Sequence, residues 1–226
     1  MMPQRAVILA AGKGTRLKWL TDHRPKALMP MAGEVAVVRV IRRLAASGVR
    51  FITLNVHHHA EQLMAYLGDG SAWGVSLSYS FEADLLDSGG GVRTALEFLP
   101  GEGSFFVHNA DIMTNLDLRA LAARKGSHAC CVGLVANPLH HANGDFTFNQ
   151  GVVRRDGGSR FTFSGVSVWD ESIWMRFSAK QSFSMLALLN ELMAEDQCRG
   201  YLHRGFWYDI GRPRDLLQAQ SMLSRL

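Results

Sequence analysis

Residues 9–17 read Leu-Ala-Ala-Gly-Lys-Gly-Thr-Arg-Leu. The stretch begins inside Arg5 to Ala10, a short apolar run that reads as a buried strand stopped by Gly12. Small residues let a backbone approach a ligand closely, and glycines permit the turn. Successive N–H groups can then cradle phosphate oxygens. Arg16 adds a cation whose fork suits phosphate. Two competing motifs fail here. A dinucleotide fingerprint needs a third glycine where Leu17 stands, and a P-loop needs Gly-Lys-Ser/Thr after a four-residue gap. Lys26 follows between Pro25 and Ala27, and the prolines at 25 and 30 stiffen the segment that aims it.

Outward from this loop, short apolar runs alternate with helical periodicity. Strands are expected at Phe51 to Val56, Ser76 to Phe81, Ser104 to His108 and Ala129 to Ala136. Helices are expected at Val35 to Ser47, Ala60 to Leu67, Gly89 to Leu99 and Leu116 to Lys125. That alternation predicts an α/β fold, a Rossmann-like mixed and mostly parallel sheet with helices on both faces. Past Asn137 the pattern changes. Asp145 to Phe148, Val152 to Arg155 and Arg160 to Trp169 read as strands, Tyr201 to Ile210 as strand plus loop, and Met185 to Ala194 and Pro213 to Leu226 as helices. The reading is a single domain over 1–226, with a nucleotide-binding half (1–136) and a substrate-binding half (137–226).

The 226 residues, 47% hydrophobic and 19% charged, are those of an ordinary globular protein. A net charge of +4 suits an anionic small molecule and is too weak and dispersed for a nucleic-acid stripe. The apolar start, Ala6 to Ala11, is shorter than a signal or membrane segment, so no membrane association is expected. Cys130, Cys131 and Cys198 form no Cys-x-x-Cys pair, which points to reduced, buried thiols in a cytoplasmic protein.

Asn109-Ala110-Asp111 directly follows a buried strand. Ligands of open α/β sheets bind at the carboxyl ends of strands, where Asp111 would serve a hard cation such as Mg²⁺. Asp209, in Trp207-Tyr208-Asp209-Ile210-Gly211, sits in an apolar setting and is a candidate second ligand. The plain alternatives are an Asx-turn at Asp111 and a helix cap at Asp209. Trp207 and Tyr208 suit either ligand stacking or core packing. His57, His58 and His59 resemble a metal tract, but consecutive residues at a strand end point in different directions.

With these residues assembled, the chain resembles the sugar-phosphate nucleotidyltransferases, whose signature Leu-Ala-Ala-Gly-x-Gly-x-Arg-Leu followed by Pro-Lys is met by Leu9 to Leu17 and Pro25-Lys26. Segments 86–91, 137–146, 162–167 and 207–211 resemble in particular the branch that transfers a uridylyl group to N-acetylmuramate 1-phosphate in bacterial peptidoglycan recycling. Ala110, Ala27 and Ser88 depart from the family's usual Gly, Pro and Thr. The resemblance implies that Ala11, Gly12, Gly14, Thr15, Arg16 and Lys26 hold the triphosphate. It implies that Glu82, Gly89 and Gly90 lie by the base, that Asn109, His141, Asp145 and Gly165 lie by the sugar phosphate, and that Asp111 and Asp209 hold Mg²⁺. Arg16, Lys26 and Asp111 would be the catalytic residues. The expected partners are a nucleoside triphosphate, favoured as UTP, and a sugar 1-phosphate, in a monomer or small homo-oligomer. Glu82 could accept from uracil N3–H, guanine N1–H or the cytosine amino group. Guanylyl or cytidylyl transfer to another phosphorylated sugar or alcohol, and a catalytically silent nucleotide-sugar sensor, are the competing readings.

Overall fold

The computed structural model describes residues 2–225, without the side chain of Lys18. In chain order the strands are β1 (Arg5–Leu9), β2 (Pro30–Met31), β3 (Glu34–Val35), β4 (Phe51–Val56), β5 (Ser76–Phe81), β6 (Phe105–Asn109), β7 (Ile112–Thr114), β8 (Cys130–Val135), β9 (Phe146–Asn149), β10 (Val152–Arg154), β11 (Arg160–Trp169), β12 (Cys198–Leu202) and β13 (Trp207–Asp209). The α-helices are α1 (Ala36–Ala46), α2 (Ala60–Leu67), α3 (Asp87–Ala95), α4 (Leu118–Lys125), α5 (Met185–Ala194) and α6 (Pro213–Leu223).

Nine strands form one sheet in the order β5-β4-β1-β6-β11-β8-β12-β10-β9. β5, β4, β1 and β6 run parallel to one another, as do β8 and β12, whereas β11 is antiparallel to β6 and β8. The mixed, mostly parallel reading holds, with the antiparallel pairings gathered at β9, β10 and β11. β11 comes from the second half of the chain and lies between β6 and β8 of the first, so the sheet is continuous across residue 136.

Alternation within strands feeds two cores. Ala6, Ile8, Phe106, Cys131 and Val166 face the core packed by α1 and α2, with Leu216 of α6 in the same cluster. Val7, Phe105, Val107, Cys130 and Val132 face the core that holds Leu188 and Leu192 of α5. Period-2 alternation with both faces apolar makes a sheet buried on two sides.

Several boundaries differ from the sequence reading. The helix expected from Gly89 begins at Asp87 and tightens to a 3₁₀ turn over Leu96–Phe98. Gly89 and Gly90 are tolerated inside the helix because residues 181–183 pack directly on them, and Gly91 because Asn55 and Glu82 do. The segment read as Tyr201 to Ile210 is two strands: β12 starts earlier, pairing Cys198 with Cys130, and β13 pairs with β7 in a separate ribbon. In α6, Leu216 is buried and Leu217 is exposed. The C-terminal helix ends at Leu223, and Leu226 lies outside the described residues. The three cysteines are buried and free.

Candidate active site

β1 and β6 pair in register with Leu9 opposite Asn109, and the chain crosses to opposite sides of β1 through β4 and β6. That is a topological switch point, where open α/β sheets bind ligands. A cleft of about 490 Å³ opens there. Ala11 and Gly12 of the phosphate loop form part of its wall, with Glu82, Asn109, Asp111 and Asp145. Leu85, Phe146, Phe163, Met185, Leu186 and Leu189 give it an apolar side.

The phosphate loop bends at Gly14, whose φ of +67° is left-handed. A Cβ there would meet Thr21 Cγ2 at 2.9 Å and Lys26 Cβ at 3.2 Å, so glycine lets the loop lie against Lys26. Thr15 to Thr21 then form a 3₁₀ segment that leaves Thr15 and Arg16 exposed, and a second 3₁₀ turn starts at Lys26 after the extended Pro25.

Lys26 is the hub of the polar edge. Its ammonium donates to Asp111 Oδ2 and lies 3.7 Å from Asp209 Oδ1. A Cβ on Gly211 would lie 2.8 Å from Asp209 Oδ1, 3.0 Å from Lys26 Nζ and 3.4 Å from an Arg16 guanidinium nitrogen. Glycine at 211 therefore keeps open the ground where Arg16, Lys26 and Asp209 meet. The ribbon of β7 and β13 sets the carboxylates side by side, with Asp209 opposite Ile112 and the Ile210 N–H donating to the Asp111 carbonyl at 3.0 Å. Asp209 does not cap α6. Its Oδ1 accepts from Gly211 N–H at 2.8 Å, and the helix starts after Arg212 without a side-chain cap.

Glu82 is buried and already engaged. Asn55 Nδ2 donates to its Oε1 at 2.7 Å, and the Leu86 N–H donates to its Oε2 at 3.1 Å. Asn55 Oδ1 accepts from the Ala10 N–H at 2.7 Å, tying the phosphate loop to Glu82 through one amide. Sequence reading missed Asn55. The signal was a polar residue within the apolar run Phe51–Val56.

Gly89 and Gly90 do not line the cleft. Both are buried, and both N–H groups donate to the Phe183 carbonyl, at 2.9 and 3.1 Å. Any Cβ would strike Phe183 from position 89 or the Gln181 carbonyl from position 90. In this structure these glycines serve close packing, and the neighbouring Asp87 and Ser88 face the cleft instead. The Ser88 hydroxyl accepts from the Met185 N–H at 3.1 Å, fixing the start of α5.

On the other flank, Asp145 Oδ2 accepts from Phe163 N–H at 2.8 Å and its Oδ1 lies 3.0 Å from His141 Nε2. Gly165 sits at an irregularity in β11 with φ +74°, and a Cβ there would press on Asn109 Nδ2 at 2.9 Å. The histidine tract diverges. His57 Nδ1 meets the Glu82 carbonyl at 2.8 Å, and His59 Nε2 meets the Asp22 carbonyl at 3.1 Å. Trp207 donates from Nε1 to the Ser164 carbonyl at 2.8 Å.

Behind the cleft, His108 is wholly buried next to Asn109 and its pKa is pushed down to about 3, first by desolvation and then by Arg43. Neutral His108 donates from Nδ1 to the Asn109 carbonyl at 2.8 Å and accepts at Nε2 from Arg43 at 3.2 Å. Burial also lowers the Arg43 pKa to about 10.

A phosphate-cradling loop, two basic side chains and two carboxylates at one switch point describe a site for transferring a phosphate-bearing group, and residues 5–225 match the model of the nucleotidyl transferase family. The chain belongs to that family. The resemblance carried by Leu9 to Leu17 and Pro25-Lys26 is thereby borne out. An N-acetylmuramate α-1-phosphate uridylyltransferase of Neisseria meningitidis serogroup B is 35% identical, covering 96% of this chain and 97% of its own. A mannose-1-phosphate guanylyltransferase of Mycobacterium tuberculosis is 28% identical, covering 97% of this chain and 64% of its own. A Bacillus anthracis protein described as a glucose-1-phosphate thymidylyltransferase, in complex with a sucrose, superposes with TM-score 0.87 over 98% of this chain and 96% of its own. At 18% identity that likeness concerns the fold alone.

Proposed function

We propose that the chain transfers a uridylyl group from UTP to N-acetylmuramate 1-phosphate, giving a nucleotide sugar and pyrophosphate. The observation that carries the transfer is the convergence of Lys26 on Asp111 and Asp209 beside the glycine loop. The choice of UTP and of this sugar rests on the full-length relative at 35% identity. The single domain has its triphosphate side in residues 1–136 and its sugar-phosphate side in 137–226.

An oxygen of the sugar 1-phosphate attacks the α-phosphorus in line. The bond from that phosphorus to the bridging oxygen breaks, and pyrophosphate leaves with the electron pair. Such transfer needs positioning and charge neutralisation more than a protein nucleophile. The loop N–H groups from Ala11 to Thr15 orient the triphosphate, and Arg16 and Lys26 offset its charge. Asn109, His141 and Asp145 hold the sugar phosphate, with Gly165 giving Asn109 its room. Glu82, held by Asn55 and Leu86, faces the base with its remaining lone pairs.

Asp111 and Asp209 present oxygen donors only, are partly open to solvent, and share one cation in the form of the Lys26 ammonium. That donor set fits Mg²⁺, which takes one or two carboxylates and completes its shell with phosphates and water. Bound there, it would supply charge neutralisation at the triphosphate. No described helix is long and apolar enough to cross a membrane. The free buried thiols and the phosphorylated substrates suit a cytoplasmic enzyme, read here as a monomer or small homo-oligomer without nucleic-acid or membrane partners.

The test is a pyrophosphate-release assay crossing four nucleoside triphosphates with a panel of sugar 1-phosphates, with and without Mg²⁺. Release confined to UTP with N-acetylmuramate 1-phosphate and dependent on Mg²⁺ is expected. Preference for GTP or CTP would replace the base assignment, and nucleotide binding without release in any combination would mean a silent sensor.

A further inference from the structure

A separate cavity, of about 260 Å³, has in its wall Asp209, the carboxylate 3.7 Å from the Lys26 ammonium. Leu139 and His140 are in its wall, and the next residue, His141, belongs to the cleft flank through Asp145. His141 turns to Asp145 at 3.0 Å on the cleft side, and His140 Nδ1 lies 3.7 Å from Asp215 Oδ2 on the other. Trp207, Tyr208, Arg212 and Asp215 are on its wall.

Arg212 stands apart from the other arginines that are at least half-buried. Arg5 is held by Glu171, Arg39 by the Met31 carbonyl, Arg43 by His108, Arg93 by the Phe177 carbonyl, Arg154 by Asp196 and Arg199 by His128. Among the described residues the Arg212 side chain makes no hydrogen bond or ion pair, although the residue is half-buried in the cavity wall. Removing a guanidinium from water without a partner is unfavourable, and its planar fork matches a carboxylate. Asp215 Oδ2 complements it: the atom is buried and lacks a hydrogen-bond donor. The cavity thus offers an unpaired cation fork, a carboxylate oxygen that accepts no hydrogen bond although His140 lies 3.7 Å away, and two aromatic side chains, suited to a group that combines a carboxylate with a hydroxyl or amide N–H.

We propose that this cavity is the subsite for the carboxylate-bearing arm of an acidic sugar 1-phosphate, with Arg212 as the residue that distinguishes acidic from neutral sugars. The inference rests on the sugar 1-phosphate reading above. It adds to that reading the residue by which an N-acetylated sugar with an acidic ether substituent is told from the same sugar without it. The 1-phosphate lies by Asn109, His141 and Asp145, and the acidic arm reaches past His140 to Arg212.

The test measures KM for N-acetylmuramate 1-phosphate and for N-acetylglucosamine 1-phosphate, which lacks the acidic arm, in the unsubstituted protein, Arg212→Gln and Arg212→Lys. Where the neutral sugar is bound but not turned over, its Ki as a competitor replaces KM. Arg212→Gln should raise KM for the acidic sugar by about tenfold or more while shifting the neutral one by less than about twofold, the scale of one lost charge-assisted contact. Arg212→Lys should fall between. The neutral sugar serves as the internal check that the variant is folded. Equal losses for both sugars would mean that Arg212 grips the shared phosphate, and no loss for either would remove it from the site; both overturn the proposal. Turnover of neutral sugars alone by the unsubstituted protein would overturn the acid subsite and leave nucleotidyl transfer standing. Turnover of neither sugar with any nucleotide would overturn both.

Discussion

The ammonium of Lys26 lies 3.7 Å from Oδ1 of Asp209, joining the turn after the phosphate loop to a ribbon strand near the chain's end. The same ammonium is bonded to Asp111, so one cation links the segment after the glycine loop to both carboxylates. A positive charge shared by two carboxylates keeps them close before any ligand arrives. It also marks where the charge of a triphosphate and its counterion would be balanced.

Asp111→Asn keeps the shape and removes the charge. Turnover should fall by about 10²-fold or more, the scale seen when one preorganised electrostatic contact is removed. The thermal midpoint should remain close to that of the unsubstituted protein, because Asp111 is partly open to solvent. Near-normal kcat at saturating Mg²⁺ would remove Asp111 from the metal site.

Asn55→Ala should weaken binding of the nucleotide and leave that of the sugar phosphate unchanged. It leaves Glu82 Oε1 without its 2.7 Å donor and the Ala10 N–H without its 2.7 Å acceptor. Orphaned buried groups of this kind cost about 1–3 kcal/mol each, so stability to denaturant should drop measurably. KM for the nucleoside triphosphate should rise about tenfold, since one lost contact of roughly 1.4 kcal/mol is a factor of ten. KM for the sugar phosphate should stay the same. Equal changes in both KM values would show general loosening instead of a bridge between loop and base.

Much of this arrangement was legible in the sequence. Leu9 to Leu17 is a local motif, and its strand-loop geometry follows from small residues and glycines in a short stretch. Asp111 and Asp209 were legible as candidates because each follows a hydrophobic run. Their meeting through Lys26 depends on β7 pairing with β13, a contact between distant segments that no local periodicity announces. Asn55 looked like one polar residue in an apolar strand, because its partners, Ala10 and Glu82, come from two other strand ends. Gly89 and Gly90 were legible as glycines but not in purpose. The surface that demands them, residues 181–183, lies far along the chain and carries no motif.

Gly90→Ala tests that packing reason. A methyl group would strike the Gln181 carbonyl, a backbone atom held near the bonds from Gly89 and Gly90 to Phe183. Overpacking of this kind costs about 1–3 kcal/mol, which chemical denaturation can read. Unchanged stability with weakened nucleotide binding would point instead to direct contact with the base.

Buried neutral His108 predicts a pH dependence of stability. Its folded pKa is depressed from 6.5 to about 3, mainly by desolvation. Between these values the unfolded chain binds the proton and the folded chain does not, so stability is fully present above about pH 6.5 and is lost as pH falls toward 3. The slope from this one group approaches about 1.4 kcal/mol per pH unit in the middle of the window. His108→Gln retains an acceptor for Arg43 and cannot titrate. Its stability should therefore decline less steeply between pH 6 and pH 4 than that of the unsubstituted protein, as measured by urea unfolding across that range. Parallel curves would mean that His108 titrates normally in the folded chain.

The central claim is most directly tested by competition in one vessel. The unsubstituted protein is given Mg²⁺, equal amounts of the four ribonucleoside triphosphates, and both N-acetylmuramate 1-phosphate and mannose 1-phosphate, and the products are identified by mass spectrometry. The account predicts a uridine diphosphate derivative of N-acetylmuramate as the dominant nucleotide sugar, with pyrophosphate formed in equal amount. A guanosine or cytidine product in its place, or triphosphates left unconsumed, would contradict it.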